Sequence, residues 1–364
     1  MEQKKTLIIS MVAGFGHLKA GEALLDYAKE SLPQLDVLHV DISQIDPAFK
    51  RYAKIYDFFA KKFPWFWGLM YRTLNIRIIS SFVKHTNIFS YIMSPHVARY
   101  INEVNPGSIL FTNVVPLPLF TFAFRRKFPR IKIGIVVTDY HGHAYYHFAS
   151  IDYYFVGNQT VAEDLIRAGV DSDKIFITGI PVSPAFFVKQ DVIELKKKYG
   201  LKNNLPVALL VASFKTSERE LVSLIAKMYA RYPEVNLIVL VNNNQAFYQA
   251  IEKSFPGKEN LFLVKWTDTM AEYMKIADVV IAKAGGLTTS ECMTLRKPMI
   301  MFRPTPGQEE YNAEFIEKNN FGRRARSIDD IVNLLSEIIF MSKRQKADAK
   351  EPVNPSKEIF EKIV

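Results

Sequence analysis

Short apolar runs alternate with longer amphipathic stretches along almost the whole chain. Runs rich in valine, isoleucine and leucine are typical of parallel strands that are buried on both faces. The pattern predicts strands at residues 6–12, 35–40, 108–112, 132–137, 153–156 and 174–178, and then at 206–211, 236–241, 261–264, 278–282 and 298–302. The stretches between them have helical periodicity. This alternation predicts α/β architecture, with parallel sheets covered by helices on both faces.

The two series of strands predict two Rossmann-like domains, which suits a chain of 364 residues. A glycine and two prolines within residues 179–184 interrupt the pattern and mark the joint. We expect an N-terminal domain over residues 1–180, a C-terminal domain over 181–336, and a tail over 337–364 that returns to the first domain. Ligands of open parallel sheets lie beyond the carboxyl ends of the strands, so two domains facing across a cleft would each hold one ligand.

Composition narrows the class of protein. Hydrophobic residues make up 49% of the chain and charged residues 23%, which indicates a globular protein. The one cysteine, Cys292, excludes a disulfide framework and a cysteine-based zinc site, and it favours a reducing compartment. No signal peptide or membrane-spanning run is recognisable, so we expect any membrane contact to be peripheral. The formal net charge of +10 allows an acidic partner.

Two segments of the second half carry candidate binding chemistry. The segment Lys283-Ala-Gly-Gly-Leu-Thr-Thr-Ser-Glu291 turns a predicted strand into a helix, and the free N–H groups of a helix start favour phosphate. The carboxylate of Glu291 can accept two hydrogen bonds from a ribose diol. Taken alone, this segment also fits a structural joint of any α/β protein. The segment Pro306-Gly-Gln-Glu-Glu-Tyr-Asn312 adds amides and acids that are suited to sugar hydroxyls.

Residues 49–101 do not follow the alternation of strands and helices. They combine lysines and arginines with many aromatic residues and a single acid, Asp57. Aromatic residues among cations are typical of segments that lie on an anionic membrane surface. A helical subdomain with a solvated basic rim and a single-stranded nucleic-acid site are the alternatives. No nucleic-acid fold signature is present, so we expect no nucleic-acid partner and a membrane contact through Lys61, Lys62, Trp65, Trp67 and Arg72.

Two loops of the first half contain histidines. The segment Ala13-Gly-Phe-Gly-His-Leu-Lys-Ala-Gly21 places His17 at a helix start, where a histidine either caps the helix or takes part in chemistry. The segment Thr138-Asp-Tyr-His-Gly-His-Ala-Tyr-Tyr-His147 contains three histidines, a pattern that also fits zinc. The segment lies in a loop of the predicted parallel sheet, which commits the histidines to no ligand geometry, and we expect no metal.

Together these segments resemble the signature of inverting glycosyltransferases of the GT-B fold that use UDP-sugars. The pattern is similar to that of the bacterial and plant diacylglycerol glycosyltransferases, including the monogalactosyldiacylglycerol synthases. It is more distantly similar to that of the transferase that builds peptidoglycan lipid II. The resemblance covers residues 6–336 and is strongest at 278–312. It implies a single displacement in which a lipid hydroxyl, such as that of diacylglycerol, attacks the anomeric carbon of a UDP-sugar.

The resemblance also implies a role for each matching residue. A hydroxyl is a weak nucleophile, so the reaction would use a general base. His17 is the first candidate for that base and Asp139 is the second. The resemblance implies acceptor contacts from Gly16, His143 and Tyr146. It implies donor contacts from Gly285, Gly286, Leu287, Thr288, Glu291, Gln308, Glu309, Asn312 and Trp266. The N–H groups of the helix start would stabilise the leaving diphosphate, so we expect no cofactor and no metal, with the UDP-sugar as co-substrate.

The resemblance fails after the predicted strand at 206–211. Relatives have a glycine-rich loop there, whereas this chain reads Ala212-Ser-Phe-Lys-Thr-Ser217. The leading hypothesis is a hexosyltransferase of glycolipid synthesis that acts at the inner, cytoplasmic face of the cell membrane. The alternatives are a UDP-sugar epimerase of the same fold and a lipid- or nucleotide-binding homologue that has lost catalysis.

Overall fold

The structure, a computed structural model, describes residues 5–11, 15–86, 94–342 and 352–364. The strands are β1 (Lys5–Ser10), β2 (Val37–Asp41), β3 (Pro106–Phe111), β4 (Lys132–Val136), β5 (Tyr153–Val156), β6 (Ile175–Ile177), β7 (Val207–Val211), β8 (Asn236–Leu240), β9 (Leu261–Val264), β10 (Val279–Ala282), β11 (Met299–Phe302) and β12 (Gly322–Ala325). The helices are α1 (Phe15–Ser31), α2 (Ile42–Ile45), α3 (Pro47–Lys62), α4 (Pro64–Leu74), α5 (Arg77–Thr86), α6 (Pro95–Val104), α7 (Phe122–Lys127), α8 (Gln159–Ala168), α9 (Val192–Lys198), α10 (Glu218–Arg231), α11 (Gln245–Ser254), α12 (Met270–Ile276), α13 (Gly286–Thr294), α14 (Gln308–Lys318), α15 (Ile328–Ser342) and α16 (Pro355–Ile363). Short 3₁₀ turns lie at Leu117–Phe120, Ala144–Tyr146, Ser172–Lys174 and Pro184–Phe186.

The chain divides into two compact units. The first comprises Met1–Pro184, Pro306–Asn312 and Val353–Val364, and the second comprises Ala185–Thr305 and Ala313–Pro352. Among the described residues each unit contains one six-stranded parallel sheet, so the predicted α/β class is confirmed. Helix α15 runs to Ser342 and thus passes the boundary that the sequence pattern placed at 336.

The sheet of the first unit has the strand order β2-β1-β3-β4-β5-β6. Successive side chains of its central strands enter different cores, because helices cover both faces. Leu7 and Ile109 belong to one core, whereas Ile8 and Leu110 belong to the other. Burial on both faces explains why these strands read as uninterrupted apolar runs.

The last helix, α16, packs on the sheet of the first unit. Its side chains Ile359, Phe360 and Ile363 are buried in the same core as Ile8. The helix starts at a proline, and the side chain of Asn354 caps it by accepting a hydrogen bond from a main-chain N–H of the first turn. The end of the chain therefore completes a core that begins with the first strand.

Between β2 and β3 the chain forms the helices α2 to α6 instead of a single crossover. Large apolar side chains are exposed on them to an unusual extent, with Trp65 67% exposed and Ile78 80% exposed. We call the ten exposed residues the apolar helix surface: Tyr52, Ile55, Phe58, Phe63, Trp65, Phe66, Leu69, Ile76, Ile78 and Phe82. Exposed cations lie on the same helices: Lys50, Arg51, Lys54, Lys62, Arg72 and Arg77. The side chains of Lys61 and Trp67, which we expected at the membrane, lie outside the described part of the structure.

Helices that could cross a bilayer are absent from the described residues, since none is both long enough and apolar enough. This finding leaves contact through the helix surface open.

The sheet of the second unit has the order β12-β11-β10-β7-β8-β9. The apolar pattern predicts five of its strands but not β12, because Arg323 and Arg324 interrupt the apolar run there. Strand β12 pairs in parallel with β11, with Arg323 opposite Ile300. It forms an edge of the sheet, where two partly exposed arginine side chains are tolerated.

Replacement of Phe360 by alanine tests the packing of α16. The side chain is 2% exposed and stacks on Tyr27 with the ring centroids 6.3 Å apart. We expect a loss of about 3–5 kcal/mol in the free energy of unfolding of the first unit, the usual cost of emptying a buried phenylalanine site. Urea unfolding followed by circular dichroism measures it. The control is Glu361→Ala at the exposed neighbouring position, which should change stability by less than about 0.5 kcal/mol; equal effects would contradict this packing.

Candidate active site

His17 lies in the first turn of α1, close after β1. Its ring Nδ1 is 2.7 Å from the main-chain oxygen of Thr112 and 2.9 Å from the Oγ1 of Thr138. Thr112 follows β3 and Thr138 follows β4, so three neighbouring strands bring these residues together at their carboxyl ends. Gly16 precedes His17 in the same turn, whereas residues 12–14 of the glycine-containing loop lie outside the described residues.

The contact with Thr112 fixes the ring nitrogen of His17 that carries the proton. A main-chain oxygen can only accept, so Nδ1 donates its N–H and shares it with the hydroxyl oxygen of Thr138. Neutral His17 then has an unprotonated Nε2, which meets no hydrogen-bond partner among the described residues. Burial lowers the pKa of His17 below its ordinary value of 6.5, against the opposing charge of Asp139. The ring is therefore a neutral base near pH 7, with Nε2 as its basic atom.

Asp139 follows directly after Thr138 and is 3% exposed. Its Oδ1 accepts a hydrogen bond of 2.6 Å from the Nε2 of Gln308 and a longer one, at 3.5 Å, from the Nδ2 of Asn312. Burial raises the pKa of Asp139, while the neighbouring His17 and the hydrogen bond from Gln308 oppose the rise. Two amides thus orient Asp139 beside His17, where a carboxylate stabilises an imidazolium. This geometry suits His17 as the base and Asp139 as its electrostatic partner.

The first residues of α14 hold the Asp139 loop in place. Asn312 is fully buried, and its Oδ1 accepts a hydrogen bond of 2.9 Å from the main-chain N–H of Tyr140. Glu309 is 9% exposed. These residues belong to the first unit, although the sequence pattern placed them in the C-terminal domain. The amides of Gln308 and Asn312 contact the Asp139 loop, and their contact with a donor sugar stays a prediction.

His143 and Tyr146, the expected acceptor residues, are both buried. The Nε2 of His143 lies 2.8 Å from the main-chain oxygen of Tyr71, and its Nδ1 accepts a hydrogen bond of 3.0 Å from the N–H of Tyr145. Both ring nitrogens of His143 are therefore engaged within the protein. Burial raises the pKa of the Tyr146 hydroxyl well above its ordinary value. These two residues shape the loop, and direct contact with an acceptor stays a prediction.

His141 is also held by protein groups. Its Nδ1 donates to the carboxylate of Asp164 at 2.9 Å, and its Nε2 accepts from the amide of Asn75 at 3.1 Å. Burial alone would raise the pKa of Asp164, but the hydrogen bonds from His141 and Gly142 bring it below its ordinary value. Within the described residues no group of three or more histidine, cysteine or acidic side chains could hold a metal ion.

The end of α4 packs against the residues of this site. The sequence pattern did not predict this contact. The ring of Tyr71 lies against Gly307, because a Cβ added to Gly307 would be 3.2 Å from a ring carbon of Tyr71. The same ring is 6.3 Å from that of Tyr311, centroid to centroid. Arg72, which we expected at the membrane, pairs with Glu310 at 3.0 Å. The helix that carries Trp65 and Leu69 thus also contacts the start of α14.

In the second unit, α13 begins directly after the turn that follows β10, with Gly285 as its N-cap. The first N–H groups of this helix meet no acceptor in the described part of the chain: those of Gly286, Leu287 and Thr288. They leave the anion site of a helix start available. Glu291 is partly buried one turn later, and Trp266, which follows β9, is 52% exposed.

The loop at 212–217, which lacks the glycines of the family, has a defined structure. Arg303 donates to the main-chain oxygen of Lys215 at 2.8 Å and to the carboxylate of Glu220 at 2.7 and 3.1 Å. These hydrogen bonds from Arg303 lower the pKa of Glu220 to about 2. Ser217 and Glu220 also form a capping box at the start of α10. Because β7, β10 and β11 are neighbours, this loop lies at the same sheet edge as the start of α13.

Two protein families match the chain in succession. Residues 17–182 match the family described as monogalactosyldiacylglycerol (MGDG) synthase. Residues 215–363 match the glycosyltransferase family 28 C-terminal domain. The first match contains His17 and Asp139, and the second contains α13 and the first turns of α14.

Characterised relatives align along nearly the whole chain. The processive diacylglycerol beta-glucosyltransferase of Staphylococcus carnosus is 26% identical over 344 residues, which cover 93% of this chain and 85% of the relative. The protein of the same name from Bacillus pumilus is 26% identical over 373 residues, which cover 99% and 94%. Among solved structures, UDP-GlcNAc 2-epimerase from Neisseria meningitidis bound to UDP-GlcNAc has a TM-score of 0.61 at 14% identity, with 98% of both chains covered. The structural likeness concerns the fold alone and confirms the fold class that the sequence predicted.

Replacement of His17 by glutamine tests the neutral state of its partly buried ring. In the unfolded chain this histidine takes up a proton near pH 6.5, whereas in the folded chain burial delays protonation to lower pH. Unfolding therefore binds a proton below pH 6.5, and the stability of the wild type falls as the pH drops through that value. We expect the free energy of unfolding of the wild type, relative to that of His17→Gln, to fall by about 1.4 kcal/mol per pH unit below 6.5, until the pKa of His17 in the folded chain is reached.

Urea unfolding across this pH window measures the effect. A difference in stability between wild type and His17→Gln that stays constant with pH would contradict a neutral His17 with a lowered pKa.

Proposed function

We propose that this protein transfers a hexose from a UDP-sugar to the hydroxyl of a lipid such as diacylglycerol. The matches of residues 17–182 to the MGDG synthase family and of residues 215–363 to the glycosyltransferase family 28 C-terminal domain support the proposal. The relatives named processive diacylglycerol beta-glucosyltransferase align with more than nine tenths of the chain. The observation that carries the proposal is the geometry of His17, whose Nδ1–H is committed to Thr112 and whose Nε2 is left as a base beside Asp139.

The reaction is a single displacement with inversion at the anomeric carbon. As the acceptor oxygen attacks that carbon, its proton passes to the Nε2 of His17, and the bond from the carbon to the diphosphate oxygen breaks. The carboxylate of Asp139 stabilises the imidazolium that forms. UDP leaves with both electrons of the broken bond. The free N–H groups at the start of α13 stabilise its diphosphate, so the reaction requires neither a cofactor nor a metal.

The apolar helix surface supports a lipid acceptor. Aromatic and aliphatic side chains among exposed cations suit an anionic membrane, in which the apolar groups enter the headgroup region. Each lysine or arginine near such a surface contributes about 1 kcal/mol of attraction. The enzyme therefore works as a peripheral protein at the inner face of the cell membrane, where both UDP-sugar and diacylglycerol are accessible.

The two alternatives make different demands on the chain. An epimerase of the same fold acts on free UDP-sugars and has no use for ten large apolar side chains exposed on neighbouring helices. A binding protein without catalysis was suggested by the missing glycines at 212–217. The hydrogen bonds from Arg303 give that loop a defined conformation, which favours a working donor site.

Transfer of labelled hexose tests the proposal. We expect the protein to move label from UDP-glucose or UDP-galactose to diacylglycerol in anionic liposomes. The variant His17→Ala should lose about 10²–10⁴-fold in kcat, the usual contribution of a general base, whereas His96→Ala at an exposed position should retain activity. Interconversion of free UDP-sugars without transfer would support the epimerase, and binding of UDP without turnover would support the non-catalytic alternative.

Removal of two side chains from α4 tests the membrane contact. Trp65 and Leu69 are 67% and 57% exposed and lie one turn apart on the helix. The double variant Trp65→Ala, Leu69→Ala should reduce sedimentation with anionic vesicles at least about fivefold, because each lost side chain gave up to roughly 1.5–3 kcal/mol of apolar burial. The control is Ile193→Ala, which alters a side chain of similar exposure, 60%, in the second unit. Unchanged sedimentation of the double variant would rule out docking through this surface.

A further inference from the structure

A chain of hydrogen bonds connects His39 to the main chain of His17. The Nε2 of His39, in β2, is 2.8 Å from the Oγ of Ser10, which ends β1. The Oγ of Ser10 is 2.8 Å from the Oγ1 of Thr112, and that hydroxyl donates to the main-chain oxygen of His17 at 2.8 Å. Ser10 and Thr112 are 0% and 1% exposed, so these groups have little access to water as an alternative partner.

The donors and acceptors that these groups offer give the hydrogen-bond chain one direction. The carbonyl of His17 can only accept, so the hydroxyl proton of Thr112 points to it. The hydroxyl of Ser10 then donates to Thr112 at 2.8 Å, with the main-chain oxygen of His17 as a second, longer acceptor at 3.3 Å, and Ser10 in turn accepts from His39. Full pairing therefore requires the Nε2 of His39 to carry a hydrogen.

Thr112 consequently holds His17 by two groups at once. Its hydroxyl donates to the main-chain oxygen of His17, and its own main-chain oxygen accepts from the Nδ1 of the ring, at 2.7 Å. The first contact fixes the turn of α1 that carries the base, and the second fixes the tautomer. The ring keeps its place at that oxygen while the hydroxyl of Thr112 holds the turn, and Ser10 and His39 orient this hydroxyl.

We propose that His39 is a positioning residue for the general base: its Nε2–H orients the hydroxyls of Ser10 and Thr112 and thereby keeps the Nε2 of His17 unprotonated and aligned. This inference rests on the proposed function for its effect on transfer. The arrangement of the hydrogen-bond chain itself stands on the distances alone.

Gly21 provides an independent observation on the same hydrogen-bond chain. A Cβ at this position of α1 would lie 2.4 Å from the Nε2 of His39 and 2.5 Å from the Oγ of Ser10. Both distances are far below van der Waals contact, so any side chain at position 21 would push the two groups apart. The absence of a side chain is therefore needed where His39 meets Ser10.

Two substitutions of His39 separate a positioning role from simple packing. His39→Phe keeps a ring of similar size but removes the N–H, and His39→Gln keeps an N–H donor at similar reach. We expect His39→Phe to lower kcat for lipid glycosylation by about 10–100-fold, because small misplacements of a catalytic group are costly. The KM for the UDP-sugar should stay within about twofold of wild type, and His39→Gln should recover most of kcat. Gly21→Ala should resemble His39→Phe.

The tautomer of His17, read from its ring ¹⁵N shifts by NMR, provides a readout that does not depend on transfer. We expect the Nδ1–H form in wild type and His39→Gln, and a mixture of tautomers in His39→Phe and Gly21→Ala. Equal loss of kcat in both His39 variants with an unchanged His17 tautomer would overturn the proposal, as would full activity of His39→Phe. If wild type transfers no sugar, the proposed function fails, and the ¹⁵N shifts still decide the hydrogen-bond chain.

Discussion

The main-chain oxygen of Thr112 is the atom on which the candidate chemistry depends. Because it can only accept, it determines which nitrogen of His17 is a donor and leaves the other as a base. The pairing of β3 beside β1 sets the place of this oxygen, and the hydroxyls of Ser10 and Thr112 hold the turn of α1 that presents the ring to it. The parallel sheet and these hydrogen bonds together specify the protonation state of a ring that lies beyond the carboxyl end of the sheet.

Much of the architecture could be predicted from the sequence, since buried parallel strands leave a plain apolar signal. The eleven predicted strands all occur, including short ones such as β6. Strand β12 was not predicted, because this edge strand contains the charged residues Arg323 and Arg324 and therefore has no apolar run. The proximity of the His17 turn and the Asp139 loop was also predictable, because both follow predicted strands and the carboxyl ends of parallel strands meet at one sheet edge. Their catalytic roles stay a prediction.

The supporting contacts of the site could not be predicted in the same way. Gln308 reaches Asp139 across a sequence separation of 169 residues, and Tyr71 reaches Gly307 across an even longer one. Neither pair has a periodicity or a motif that connects its members. Ser10 and His39 are likewise ordinary strand residues until the register of β1 with β2 brings their strands together. Such pairings depend on the tertiary fold, which single-sequence patterns encode only indirectly.

The first unit is assembled from three separate stretches of chain, Met1–Pro184, Pro306–Asn312 and Val353–Val364. A hybrid of two homologues joined at residue 184 would therefore combine the Asp139 loop of one parent with the Gln308 amide of the other, and would set a foreign α16 on the sheet. Exchange of the first unit between homologues thus calls for grafting all three stretches together. A single crossover point, natural or engineered, does not transplant this unit intact.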